Sequence, residues 1–175
     1  MASKIQTYIR SMDVISETTG AIAAWMFFTT GIIVFFEVFM RYVLNSPTIW
    51  VDEMSRIFQV WAAYLAIGYV LKHKAHIIID VTFRDPHTFN RRLVDSFAMV
   101  VIILFCLITV KYGLDIWWKS TKAGHTTDSY LAVPKTFVQS AIWVGFGVMA
   151  LQALAEIFKI WTWDPDDLPK QTLVH

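Results

Sequence analysis

The sequence predicts an all-α integral membrane protein, with four transmembrane helices behind an N-terminal amphipathic interfacial helix. Three observations lead there. Of the 175 residues, 56% are hydrophobic and only 17% charged, whereas soluble domains carry about 25% charged residues. Mean hydropathy is +0.49. The apolar residues gather into four long runs, with Trp50, Trp117 and Trp118 toward one set of run ends and Trp161 and Trp163 toward the other. Aromatic anchors at headgroup level are placed this way. So much apolar surface in so few charges requires a non-aqueous solvent. A net charge of +1 gives no general attraction to nucleic acid. The single cysteine, Cys106, excludes an intramolecular disulfide and CxxC motifs.

Residues 1–17 place Ile5, Tyr8, Ile9, Met12 and Ile15 at helical spacing, with Lys4, Arg10, Asp13 and Glu17 between them. That is the pattern of a helix lying in the membrane interface. It is not expected to be a cleaved leader, because acidic residues precede the apolar core, and Glu37 and Arg41 follow it where a small-residue site would stand. The first uncharged run, 18–36, matches the ~20 residues that cross a hydrocarbon core and predicts a span over 18–40. The second and third runs, 57–71 and 96–110, are too short to cross ~30 Å at ~1.5 Å per residue. Each has to extend through charged flanks, to 47–71 and 92–118. Ser46-Pro47 reads as N-cap and first helical residue, since proline lacks an amide hydrogen that this position does not use. Asp52, Glu53 and Arg56 then fall in the first turns, while the third span carries Asp95 at one end and Lys111 and Asp115 at the other. The fourth run, 136–155, predicts a span over 135–160. Residues 163–175, with three aspartates and two prolines, read as a polar tail. The chain thus divides into 1–17, a membrane domain over 18–162, and 163–175.

Lysine and arginine set topology. Nine lie on the side of the termini and of the 72–92 loop, six on the other, so both termini are expected in the cytoplasm. Gly20 with Ala24, and Ala141 with Gly145, are small-xxx-small pairs that mark packing faces.

Three groups of polar residues bear on function. Glu37 ends the first span, where a carboxylate is costly unless paired, hydrated or protonated. It is either a proton carrier or the partner of Arg41 at i,i+4, and its boundary position favours the pair. Asp52, Glu53, Arg56 and Gln59 form a polar stripe with i,i+3 and i,i+4 spacings to Arg56. The stripe is either a hydrated helix start or a polar surface against another membrane protein. His73, Lys74, His76 and Asp80 follow the second span as a metal or proton site or, more plainly, a solvated loop. Haem ligation is disfavoured because all five histidines fall in loops or tails, away from the helix interiors that would present them. No nucleophile–base pair, phosphate loop or carboxylate dyad is present, so neither an enzyme nor a cofactor is expected. Secondary transporters build substrate sites from broken helices and inverted repeats. All five prolines lie at run ends or in loops, and no repeat is evident, so the chain is not expected to move a substrate alone.

In order, Glu37-x-x-x-Arg41-Tyr42, Ser46-Pro47, Trp50, Glu53, Arg56, Gly68, His76 and Asp80 resemble the small, DctQ-like membrane subunit of tripartite ATP-independent periplasmic transporters. Ser129 to Pro134 is similar to that family's stretch before the last span, although Lys135-Thr136 precede Phe137 here. The resemblance covers almost the whole chain. It implies an inner-membrane complex for sodium-coupled uptake of an organic acid. A large, M-type membrane subunit would hold the substrate and sodium sites, and a periplasmic substrate-binding protein would dock on the outer face. The small subunit would be a scaffold, with Glu37, Arg41, Tyr42, Trp50, Asp52, Glu53, Arg56, Gln59, His76 and Asp80 as its interface and structural residues. Two alternatives stand beside it: a small four-helix proton-coupled exporter using Glu37, and a non-transport membrane assembly factor.

Overall fold

The computed structural model describes residues 2–74, 89–127, 129 and 131–162. The 75–88 stretch, with His76 and Asp80, and the 163–175 tail lie outside the described residues. Within them are four helices: α1 (Ala2–Tyr42), α2 (Val51–Lys74), α3 (Phe89–Ala123) and α4 (Lys135–Thr162). Each contains a stretch long and apolar enough to cross a membrane. Pro47 and Pro134 fall in the connections, so no missing amide interrupts a helical ladder.

α1 is a single helix of 41 residues, roughly 60 Å at 1.5 Å per residue. The N-terminal amphipathic segment is continuous with the first span, and protein covers part of its apolar face while Ile15 stays exposed. Ile9 and Met12 are buried, Tyr8 stacks edge-on against Phe158 at 6.2 Å, and the Tyr8 hydroxyl donates to the Leu151 carbonyl at 2.9 Å.

α2 begins at Val51, not at the Ser46-Pro47 that reads as a helix start. The cause is long-range. The Glu37 carboxylate accepts the Thr48 amide at 3.0 Å and the Thr48 hydroxyl, which draws 46–48 back onto the end of α1. Asn45, with φ of 48°, turns the chain out of α1, and asparagine tolerates that left-handed conformation better than most residues. At the other connection Gly124 takes φ of 62°. The His125 amide donates to the Ser120 carbonyl at 3.2 Å, closing α3 as a Schellman cap.

The helices form a plate in the order α1, α2, α4, α3, with the first turns of α1 also reaching α4. Antiparallel pairing of α1 and α2 sets Gly20 against Tyr69 and Phe36 against Trp50. α3 and α4 are antiparallel too, joined at their ends by Ser96–Trp161 and Thr121–Thr136. Between the hairpins, α2 and α4 run parallel, with Trp61 beside Phe137 and Gly68 beside Val148. No close backbone approach of α3 to α1 or α2 occurs among the described residues. The Ala141/Gly145 face is used, and a Cβ at Gly145 would lie 2.6 Å from the Tyr64 carbonyl oxygen. Of the other pair only Gly20 packs, a Cβ there lying 2.5 Å from the Tyr69 ring, while Ala24 is exposed. A core of Leu71, Met99 and Ala153 fills the seam among α2, α3 and α4.

Candidate functional site

The polar groups sort into two sets, one at each end of the plate. At the loop end, where the 43–50 and 124–134 connections lie, two buried glutamates each hold one connection. Glu37 projects from the last turns of α1 and is 5% exposed. One oxygen accepts from the Arg41 guanidinium at 2.8 Å, and the other takes the Thr48 amide and hydroxyl. The i,i+4 pair read from the sequence is therefore present, joined by a loop donor that spacing alone does not reveal. Glu53, in the first turn of α2 and 7% exposed, accepts the Thr127 hydroxyl at 2.6 Å, the Ser129 hydroxyl, and the Leu131 amide at 3.2 Å. An unpaired anion placed there is favoured by the positive end of the α2 dipole and by three donors.

The polar stripe on α2 is thus divided. Glu53 turns inward, while Asp52, Arg56 and Gln59 are exposed. The expected pairs of Arg56 with Asp52, Glu53 and Gln59 are not formed, because Glu53 is taken by the α3–α4 connection. Among the described residues neither Arg56 nor Asp52 has an ion-pair partner. With Ala63 and Val70, also exposed, these side chains run at helical spacing down the one face of α2 turned away from α1 and α4. Tyr42 is exposed, and Trp50 is partly covered by Phe36 at 6.4 Å between ring centroids. His76 and Asp80 lie outside the described residues.

The terminal end holds a network that the sequence reading missed. The Ser16 hydroxyl donates to the Gln152 side-chain oxygen at 2.7 Å. The Gln152 amide donates to Glu156 at 2.8 Å and to Asp13 at 3.2 Å. Lys159 bridges Asp13 at 2.6 Å and Glu156 at 2.7 Å. Ser16 and Gln152 are fully buried and Glu156 nearly so. Beside it, Glu17 pairs with Lys72 at 2.7 Å and His73 at 2.9 Å, tying α1 to the end of α2. The signal was present: Gln152, Glu156 and Lys159 follow at i, i+4 and i+7 on one face of the last span. Read singly, they pass for a frayed polar end.

Every buried carboxylate among the described residues is held by donors from another segment of the chain or from its own helix. This is a polytopic membrane protein whose helices are tied together by polar contacts at both ends. The chain belongs to the DctQ component family of tripartite ATP-independent periplasmic transporters, whose family model matches residues 30–162. It is 24% identical over 119 residues to the isethionate TRAP transporter permease protein DctMQ of Oleidesulfovibrio alaskensis, covering 64% of this chain and 18% of that protein. It is 20% identical over 78 residues to the sialic acid TRAP transporter permease protein SiaT of Haemophilus influenzae, covering 45% of this chain and 13% of that protein. The aligned stretch is thus less than a fifth of either relative's length. The chain is a transporter component and not an enzyme, and it is a multi-pass protein of the inner membrane.

Proposed function

We propose that the chain is the scaffold subunit of a sodium-coupled transporter that imports an organic acid delivered by a periplasmic binding protein. On this reading it packs against an M-type large subunit and carries no substrate site of its own. The relatives named for isethionate and sialic acid support an organic-acid substrate, and family membership supports the partners. The observation that carries the scaffold role is the state of Glu37. Both of its oxygens are bonded to groups of its own chain, the arrangement of a structural strut; a proton carrier needs an oxygen free to exchange. The exposed face with Asp52, Arg56 and Gln59 is the surface for the large subunit, since a membrane partner with matching polar groups covers it better than lipid does. Tyr42 and Trp50 are proposed to stand on the outer face with the binding protein, His76 and Asp80 to serve the inner side, and both termini to be cytoplasmic.

The test is uptake by the complete transporter in vesicles, with the binding protein present. Glu37→Gln keeps substantial sodium-driven uptake, and an imposed proton gradient alone drives none. Complete loss of uptake in Glu37→Gln, at normal assembly and membrane level, identifies a proton-coupled carrier and overturns the scaffold reading.

A further inference from the structure

The two edge helices of the plate disagree about where the membrane is. Phe105 stacks on Phe146 at 5.8 Å and Gly113 lies beside Ile142 and Trp143, so Lys111 is level with the 142–146 stretch of α4. Phe146 meets Tyr64 at 5.9 Å, and α1 passes α2 with Gly20 at Tyr69 and Phe36 at Trp50. The same level therefore falls near Trp25 of α1. From there to the loop end, α1 exposes Phe28, Ile32, Phe35 and Phe39. Over that distance α3 exposes Lys111, Asp115 and Lys119, a charged stripe at i,i+4 spacing on the side away from α4, flanked by Tyr112, Ile116 and Trp118. Neither Lys111 nor Asp115 has an ion-pair partner among the described residues.

At the terminal end the disagreement reverses. Trp161 meets Ser96 at 3.1 Å and Lys159 meets Asp13 at 2.6 Å. At that level α1 bears Arg10 and the internally paired Asp13 and Glu17, with Val14 and Ile15 the exposed apolar residues between them, while α3 exposes the apolar face of Phe97, Val100, Val101 and Leu104. A protein covering the charged half of α3 accounts for the first mismatch and leaves the second untouched. A rotation of the whole plate accounts for both, because it shifts both membrane boundaries in the same sense.

We infer that the plate lies obliquely in the bilayer: hydrocarbon contacts the loop half of α1 and the terminal half of α3, and the charged loop half of α3 stands in the headgroup and water layer. The apolar faces are offset by about ten residues, ~15 Å at 1.5 Å per residue. Across four helices spaced 8–10 Å apart this corresponds to a tilt of ~30°, inside the range that membrane helices adopt.

The test places single cysteines in the full chain carrying Cys106→Ala, reconstituted in phosphatidylcholine nanodiscs that expose both faces to a charged, impermeant maleimide. Asp115→Cys and Lys119→Cys are compared with Phe28→Cys and Ile32→Cys, which lie at matching levels on α1, and with Phe97→Cys. Because neither thiolate nor charged reagent enters hydrocarbon, the 115 and 119 sites react at least ~10-fold faster than the other three. Nitroxides at the same positions are more accessible to a polar nickel chelate at 115 and 119, and to oxygen at 28, 32 and 97. Equal reactivity at matching levels of α1 and α3 means an upright plate and overturns the inference. So does a Phe97→Cys thiol as reactive as that of Asp115→Cys.

Discussion

Single side chains at both ends fix how the plate is held. Replacing Glu53 by alanine leaves the Thr127 and Ser129 hydroxyls and the Leu131 amide without their common acceptor. Hydrogen bonds to a charged group are worth about 1.5–3 kcal/mol each when dry and less when partly wet. The connection is partly exposed, so a loss on the order of 2 kcal/mol is expected, read as a lowered thermal midpoint of the purified protein. Faster amide exchange at Leu131 should accompany it. An unchanged exchange rate at Leu131 means that Glu53 does not hold the connection. At the terminal end, Lys159→Met leaves the buried Glu156 and the half-buried Asp13 without a cation, for which about 3–5 kcal/mol is the penalty where burial is complete and less where it is partial. Converting all three groups together (Asp13→Asn, Glu156→Gln, Lys159→Met) removes the stranded charges. The triple variant is therefore expected to be more stable than Lys159→Met alone, and a triple variant no better than the single one contradicts the network.

At the scale of helices, glycine placement makes a contrast that one experiment can read. A Cβ at Gly145 meets the Tyr64 carbonyl oxygen and side chain within 2.7 Å, whereas one at Gly147 meets nothing within 4 Å. Gly145→Ala forces α2 and α4 apart and is expected to lower stability by about 1–3 kcal/mol, the range for overpacking. Gly147→Ala, two residues away on the same helix, is expected to be neutral or slightly stabilising through helix propensity. Equal thermal midpoints for the two variants in detergent would show that the α2–α4 contact yields freely. The existence of four helices and of the Ala141/Gly145 face was legible in the sequence, because run length and i,i+4 spacing are local properties. The start of α2 was not. Ser46-Pro47 has the chemistry of a helix start, but Glu37 takes Thr48 first, and nothing near Ser46 announces a competitor eleven residues back. Glu53 stood out as part of a polar stripe, yet its partners lie more than seventy residues away, and its neighbour Arg56 offered a plausible local pairing that the fold does not use. Tyr8, Ile9 and Met12 suggested a lipid-facing helix because an apolar stripe looks the same whether lipid or α4 covers it.

For the whole molecule, the charge distribution makes topology the first thing to measure. Ser46→Cys and Lys122→Cys are expected to label from the periplasm and Thr88→Cys only from the cytoplasm. Lys122 suits this test better than its neighbour Gly124, whose φ of 62° resists a side chain. Periplasmic labelling at Thr88→Cys reverses the map. The terminal network has one more consequence, and it concerns time. Chains are made from the N-terminus, and domains or hairpins settle as they emerge. Asp13 and Ser16 leave the ribosome well before Gln152, Glu156 and Lys159, which satisfy them. Until α4 is almost entirely made, the beginning of α1 carries polar groups with no mate. Truncation inside α4 is therefore expected to leave Asp13 and Ser16 unmatched, although they lie far away along the chain. The contacts between the beginning of α1 and the end of α4 therefore form only after α4 has emerged.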